Sequence, residues 1–280
     1  MTLSMNDVMN RLSLAPVTIN EVDPPELIAA AAAAGFQSVD LRVLGAPGAA
    51  PVAPVIGNRP MIAAIAAACA DTGVSIFGAT GVWLVPSFAL DDALPALELA
   101  ARLGAEQFLA VGNDPSEARM TDNLGRLAEA AAQHRLRIAL ELMPYTEVNS
   151  LAKAHRLVAA CGSANLGLLI DALHLARAGG TPTEVAAIDR QHIGYLQLCD
   201  APALPPAGMA LRTESLSSRL YPGEGELPLF ALLDALPADI VVDVETPVAR
   251  DRGLPPAERA ARAGAATKRL LNAWAAQKPA

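Results

Sequence analysis

Short apolar runs alternate along this chain with longer Ala- and Leu-rich stretches whose apolar positions repeat at helical spacing. The short runs predict strands over Leu12–Ile19, Ser38–Val43, Val74–Phe77, Gln107–Val111, Arg137–Leu142, Leu166–Asp171, Ile193–Leu198 and Ile240–Val244. The longer stretches predict helices over Glu26–Ala34, Met61–Asp71, Asp91–Leu103, Ser116–His134, Ser150–Cys161, Thr183–Gln191, Leu229–Ala235 and Pro256–Gln277. Punctuation supports these bounds. Pro24-Pro25 opens the first helix, Gly35, Gly73 and Gly104 stop three of them, and Ser116 is placed to cap the longest.

Strict strand–helix alternation implies a parallel sheet. Eight such units imply closure into a single (β/α)8 TIM barrel, and 280 residues suffice, since such barrels typically need about 250. No linker divides the chain, so residues 1–280 read as one domain, with 1–10 a frayed start. A doubly wound open sheet lacks support because no Gly-rich fingerprint follows the first strand. Two loops stand out: the Pro/Gly/Ala segment Gly45–Pro60, and the Pro-rich 201–227 segment. The second is too long for a mere connector and is expected to be an active-site loop.

Composition narrows the function classes. The formal net charge of −8 disfavours a nucleic-acid partner, and 4% aromatic residues offer little base stacking. No apolar run approaches the roughly 20 residues that span a bilayer, so no membrane partner is expected. Leu3–Asn10 lacks the charged leader and apolar core of a signal peptide. Cys69, Cys161 and Cys199 are odd in number, widely spaced and in apolar contexts, which predicts buried free thiols and a cytoplasmic location.

The chemistry gathers at strand ends. In Leu166–Ala176, LGLLIDALHLA, an apolar run behind a Gly ends in Asp171, and His174 follows three residues later. Catalytic residues of barrels sit at the carboxyl ends of strands. The fifth strand ends in Glu141 (IALEL), the seventh in Gln197 (GYLQL) and the eighth in Glu245 (VVDVE). Alternate residues of a barrel strand point inward, so Ala139, Leu169, Tyr195 and Asp243 share the inner face with these groups. Three carboxylates in a dry barrel mouth would repel one another, and a divalent cation removes the conflict. Glu141, Asp171, Gln197 and Glu245 are all-oxygen ligands, which suit Mn²⁺ or Mg²⁺, with Co²⁺ admissible, better than zinc. For any one of them, a simple strand-end hydrogen bond is the bland alternative.

From about Leu14 to the last helix the chain resembles the xylose isomerase-like barrel, or sugar phosphate isomerase/epimerase, family. ALE at Ala139–Glu141 looks like its first ligand strand, and Glu147 stands six residues on, as does the second glutamate of ketose 3-epimerases. IDALH at Ile170–His174 is similar to its D-x-x-H, RLYPGEGEL at Arg219–Leu227 to its R-x-x-P-G-x-G loop, and VVDVE at Val241–Glu245 to its final ligand strand. One position departs: the seventh strand usually offers His, and Gln197 stands there, as in some 3-dehydroshikimate dehydratases of the superfamily. The apurinic endonuclease branch needs extra His ligands that four His and an acidic balance do not fit.

The resemblance implies proton removal beside the carbonyl of a small hydroxy-carbonyl substrate, giving an enediolate whose oxygens a metal stabilises. Glu141 and Glu245 would then be ligands and proton carriers, and His174 would bond a substrate oxygen or protonate a leaving group; a helix-start histidine is its alternative. Glu147 would hold a substrate hydroxyl, or be a solvated loop residue. Arg219 would bind an oxyanion, or tie the loop to the barrel. Arg42 would bind a carboxylate, Trp83 would wall the pocket or simply pack, and Asp200 would orient Gln197. His134, His155 and His192 read as helix-end residues. Reprotonation on either face makes an isomerase or epimerase acting on a sugar, polyol ketone or related hydroxy-carbonyl compound, the first reading. Loss of a β-hydroxyl makes a lyase of the 3-dehydroshikimate dehydratase type, which Gln197 suggests. A barrel that binds without turnover is the third reading. Barrels of this family commonly pair, which implies a homodimer or homotetramer.

Overall fold

The computed structural model describes residues 11–46 and 53–277. The expected frayed start over 1–10, and the middle of the Gly45–Pro60 loop, lie outside the described residues.

Eight parallel strands close into a barrel in sequence order. They are β1 (Leu12–Leu14), β2 (Ser38–Arg42), β3 (Ser75–Leu84), β4 (Gln107–Gly112), β5 (Arg137–Glu141), β6 (Leu166–Asp171), β7 (Ile193–Leu198) and β8 (Val242–Val244). The surrounding helices are α1 (Pro24–Ala34), α2 (Arg59–Thr72), α3 (Leu90–Arg102), α4 (Glu117–Gln133), α5 (Leu151–Cys161), α6 (Ala172–Arg177), α7 (Pro182–Ala186), α8 (Leu211–Ser217), α9 (Leu229–Ala235) and α10 (Pro256–Ala275). Side chains of Asp23, Asn58, Ser116, Ser150 and Thr181 accept backbone N–H bonds at helix starts, which satisfies donors a helix leaves orphaned.

Period-two alternation divides the strands between two apolar layers. Ile138 and Leu140 of β5, and Leu168 and Ile170 of β6, pack outward in the large core beneath the helices. Ala139 and Leu169 point inward and join Phe77, Leu109, Val111, Met143 and Tyr195 in a small plug that fills the barrel. Phe77 and Tyr195 meet edge to face at 5.2 Å. The inner face is not wholly apolar, because Ser13, Asp40 and Asp243 are completely buried there. Thr80 Oγ1 donates to the Asp40 carboxylate at 2.9 Å.

Four expectations need correction. The first strand stops at Leu14 and continues as a 3-10 turn over Pro16–Ile19, because Pro16 has no N–H for the sheet ladder. The third strand runs on to Leu84, which puts Trp83 in β3 rather than in a loop. Two glycines inside it serve close approach: a Cβ would come 3.0 Å from Asp40 Oδ2 at Gly78 and 2.5 Å from Leu44 Cβ at Gly81. The helix expected over Thr183–Gln191 is instead the short α7 and a 3-10 turn at Arg190–His192, and α6 precedes them, started by Asp171 itself. Of the three free thiols, Cys199 is buried but Cys69 and Cys161 are only partly so.

The 201–227 segment is pinned at both ends and carries α8. Arg177 of α6 forms a two-pronged ion pair with Glu214 of α8, at 2.9 and 2.7 Å, and also donates to the carbonyls of Pro202 and Ala203. Asp200 accepts the amides of Ala201 at 2.9 Å, Gly223 at 2.9 Å and Leu227 at 3.1 Å, so its carboxylate clamps the segment's two ends together. This corrects its expected role of orienting Gln197.

Glu214 is fully buried, and breaking a buried pair strands the remaining charge, which typically costs about 3–5 kcal/mol. Glu214→Ala is expected to lower unfolding stability by about 3 kcal/mol, read by urea denaturation, and to expose the 201–227 segment to limited proteolysis. Wild-type stability and protease resistance would refute the anchor.

Candidate active site

The strand register brings the expected oxygen donors to one level. Glu141 and Asp171 end β5 and β6, Gln197 is the next-to-last residue of β7, and Glu245 directly follows β8. Asp171 sits opposite Gln197 across β6–β7, and Gln197 opposite Asp243 across β7–β8. None of the four donors is more than 7% exposed.

Two linked groups occupy the barrel mouth. In the first, ligating atoms of Glu141, Asp171 and His174 all lie within 4.8 Å of one another, with His174 Nε2 3.7 Å from Glu141 Oε1. The D-x-x-H spacing has a local cause: Asp171 is the N-cap of α6, and its Oδ1 accepts the His174 amide at 2.9 Å. That cap fixes where the first turn starts and so carries the imidazole back over Glu141. In the second, the buried Arg219 guanidinium bridges Asp171 Oδ2 at 2.6 Å and Glu245 Oε2 at 2.5 Å. Arg219 Nε donates to the Ser215 carbonyl at 2.8 Å. Tyr145 stands edge-on to His174 at 5.5 Å, and its hydroxyl meets Ser215 Oγ at 2.9 Å.

Electrostatics follow burial. Burial raises the Glu141 carboxyl well above its ordinary range, and the charges of Glu245 and Asp171 push it further. Burial also raises Glu245, against the pull of Arg219. For Asp171 burial acts in the same direction, but Arg219 and then His174 outweigh it and the net shift is downward. Burial lowers the His174 imidazole to about 4, so near neutral pH it is uncharged with a free lone pair. Asp243 is raised to about 7, mainly by burial. Without a cation, then, the mouth holds more carboxylates than it can ionise.

The donor set fits a hard divalent cation. Gln197 Oε1 is buried and has no hydrogen-bond partner among the described residues, although an unsatisfied buried acceptor costs about 1–3 kcal/mol. Burial opposes ionisation of the three carboxylates of the mouth, Glu141, Asp171 and Glu245. Among the described residues the cluster with metal-ligand spacing is Glu141, Asp171 and His174; of the expected donors, Glu245 is not part of it and is paired with Arg219 instead, and the imidazole widens the range of metals such a cluster accepts.

Above these residues opens a cavity of about 200 Å³. Arg42, Trp83, His174 and Arg219 line it, with Glu141, Gln197 and Glu245 at its floor. Glu147 is not part of the lining; it is partly exposed and lies 4.0 Å from Lys153 Nζ. Sequence reasoning missed Tyr145 and Arg212, both of which line the cavity. Tyr145 was findable, since it follows a ligand strand in a βα loop, where barrel sites are built. Arg212 lies in the long segment, where no periodicity marks it.

A family model for xylose isomerase-like TIM barrels matches residues 28–270. A 3-dehydroshikimate dehydratase of Pseudomonas aeruginosa is 32% identical over 150 residues, 51% of this chain and 23% of that protein. The chain thus spans about a quarter of that relative's length. An inosose isomerase of Halalkalibacterium halodurans is 29% identical over 115 residues, 40% of this chain and 39% of that protein. Among solved structures, the IOLI protein with a bound zinc atom superimposes with a TM-score of 0.76 at 19% identity, covering 94% of this chain and 99% of that one. With a closed eight-stranded barrel and a family match over most of its length, the chain belongs to the xylose isomerase-like TIM barrel family.

Proposed function

We propose that this barrel is a divalent-metal-dependent lyase that removes the proton beside the carbonyl of a small hydroxy-carbonyl acid and expels a β-hydroxyl as water. The observation that carries this reading is the closeness of His174 to Glu141, at 3.7 Å, while Glu245 is held by Arg219. A syn elimination can be served by one group that accepts the proton and returns it to the leaving hydroxyl on the same side. Epimerisation needs proton carriers on both faces.

The residues divide the work as follows. His174, kept neutral by burial, takes the proton on Nε2 as the C–H bond breaks. The same imidazolium then gives that proton to the departing hydroxyl as the C–O bond breaks and the C=C bond forms, so water leaves and His174 is restored. Asp171 holds the imidazole in place through its cap on α6. Tyr145 and Trp83 border the cavity and exclude water. The guanidinium groups of Arg42 and Arg212 make no hydrogen bond or ion pair among the described residues, and both residues line the cavity, where they suit a substrate carboxylate. A cation held by Glu141, Asp171, Gln197 and Glu245 would supply Lewis-acid polarisation of the carbonyl. The dehydratase relative and Gln197 support this reading, and the zinc in the IOLI structure supports a metal in this fold.

Isomerisation or epimerisation is the second reading. Glu245 lines the same cavity. Transfer of the Arg219 contacts to a substrate oxygen would free Glu245 to face Glu141.

Incubation with Mn²⁺ in D₂O, separately with 3-dehydroshikimate, an inosose and D-allulose, is expected to yield an absorbing enone or aromatic product from the acid alone. Deuterium in a recovered sugar without loss of water would favour the second reading; no change in any of the three would count against both. His174→Asn is expected to lower kcat by about 10²–10⁴-fold. Metal removal has a signed pH dependence. Glu141, Asp40 and Asp243 have folded pKa values above their ordinary ones, so without metal their contribution to stability is full at low pH and is lost as pH rises through the folded values, about 7 for Asp243. The Tm gap between Mn²⁺-loaded and EDTA-treated protein should therefore widen from about pH 4 to pH 7. A gap independent of pH, or none, would count against the metal centre.

A further inference from the structure

The seventh-strand donor differs in kind from the carboxylates around it. A carboxylate offers oxygen whichever way it turns. A carboxamide offers oxygen from one edge and N–H from the other, so Gln197 is useful to a cation only if something decides which edge faces it. Gln197 is 2% exposed, and its Nε2 lies 3.4 Å from Asp243 Oδ2 and 3.4 Å from Glu245 Oε1. Both neighbours are carboxylates. The opposite orientation would set the amide oxygen against their oxygens, while the observed one leaves Oε1 buried without a hydrogen-bond partner among the described residues.

We infer that Asp243 is a positioning residue for Gln197: it captures the amide N–H₂ across the β7–β8 pair and so turns Oε1 toward the cation site. This rests on the metal reading of the mouth given above. Two features single out Asp243 over Glu245. Glu245 is already engaged by Arg219 and is itself a donor to the site. Asp243 makes no ion pair among the described residues, is fully buried, and is paired directly with Gln197 by strand register. Inside a barrel its position would ordinarily hold an apolar residue, as Ala139 and Leu169 do one layer below the donors of β5 and β6. A buried carboxylate there needs a reason, and an amide whose orientation must be fixed supplies one. Asp200, the sequence-adjacent candidate for this task, is occupied with backbone amides of the long segment.

The test measures Mn²⁺ affinity by loss of the free-ion EPR signal, independent of turnover. In Asp243→Asn the new side chain can offer either edge and no longer fixes the amide, so affinity is expected to fall by about 10–100-fold, the usual range for a group that orients a metal ligand. Asp243→Ala should give a similar loss, and thermal melts of the metal-free proteins establish that each variant folds. The deciding comparison is in a Gln197→Glu background, where both edges are oxygen and orientation no longer matters. There Asp243→Asn should leave Mn²⁺ affinity unchanged or raise it. Equal losses in both backgrounds would overturn the inference and assign Asp243 a merely structural or charge role. So would wild-type affinity in Asp243→Asn and Asp243→Ala. Failure of the unaltered protein to bind Mn²⁺ at all would instead remove the metal reading, and this inference with it.

Discussion

Charge crowding governs the mouth of this barrel. Glu141, Asp171 and Glu245 arrive on strands that the closed sheet forces together, and burial denies them the water that would screen their repulsion. Arg219 offsets part of it by bridging two of the three, and the proton balance offsets more, since Glu141 and Glu245 shift toward the neutral form. A site so arranged is in deficit of positive charge. That deficit is the physical basis for reading it as a metal centre, and it makes the mouth sensitive to whatever cation or proton enters.

The 201–227 segment belongs to the same problem. Arg219 can serve as a counter-charge only because the segment returns its guanidinium to the strand ends, and two buried anchors hold it there. Arg177 and Glu214 fix α8 to α6, while Asp200 gathers the amides of residues before and after the segment's turns. α6 in turn begins at Asp171. The residue that organises the floor of the site therefore also starts the helix on which its covering segment is fastened, and Ser215 on α8 contacts both Tyr145 and Arg219.

Below the mouth the barrel interior is more polar than a packed (β/α)8 core usually is. Ser13, Asp40 and Asp243 lie buried beside the Phe77–Tyr195 pair. Thr80 satisfies Asp40, and Gln197 engages Asp243. Such groups stabilise the fold poorly compared with apolar packing. Their presence directly beneath the donors is consistent with a layer that shapes the site.

How much of this could be read from the chain depends on range. Eight strands at nearly correct places, closure of the barrel, and the positions of Glu141, Asp171, Gln197 and Glu245 at or beside the carboxyl ends of their strands all follow from period-two alternation and turn residues, which act over a few positions. The misjudged boundaries have separate causes: Pro16 ends the first strand early, and the third runs past Gly78 and Gly81, where a Cβ would crowd Asp40 and Leu44. What only the tertiary structure decided was partnership. Arg219 meets Asp171 across 48 positions of sequence, Gln197 meets Asp243 across 46, and Glu147 turns toward Lys153 rather than the cavity. Alternation determines which face of the barrel a side chain takes; which neighbour it finds there depends on strand register and on how a long segment folds back, and no local pattern encodes either.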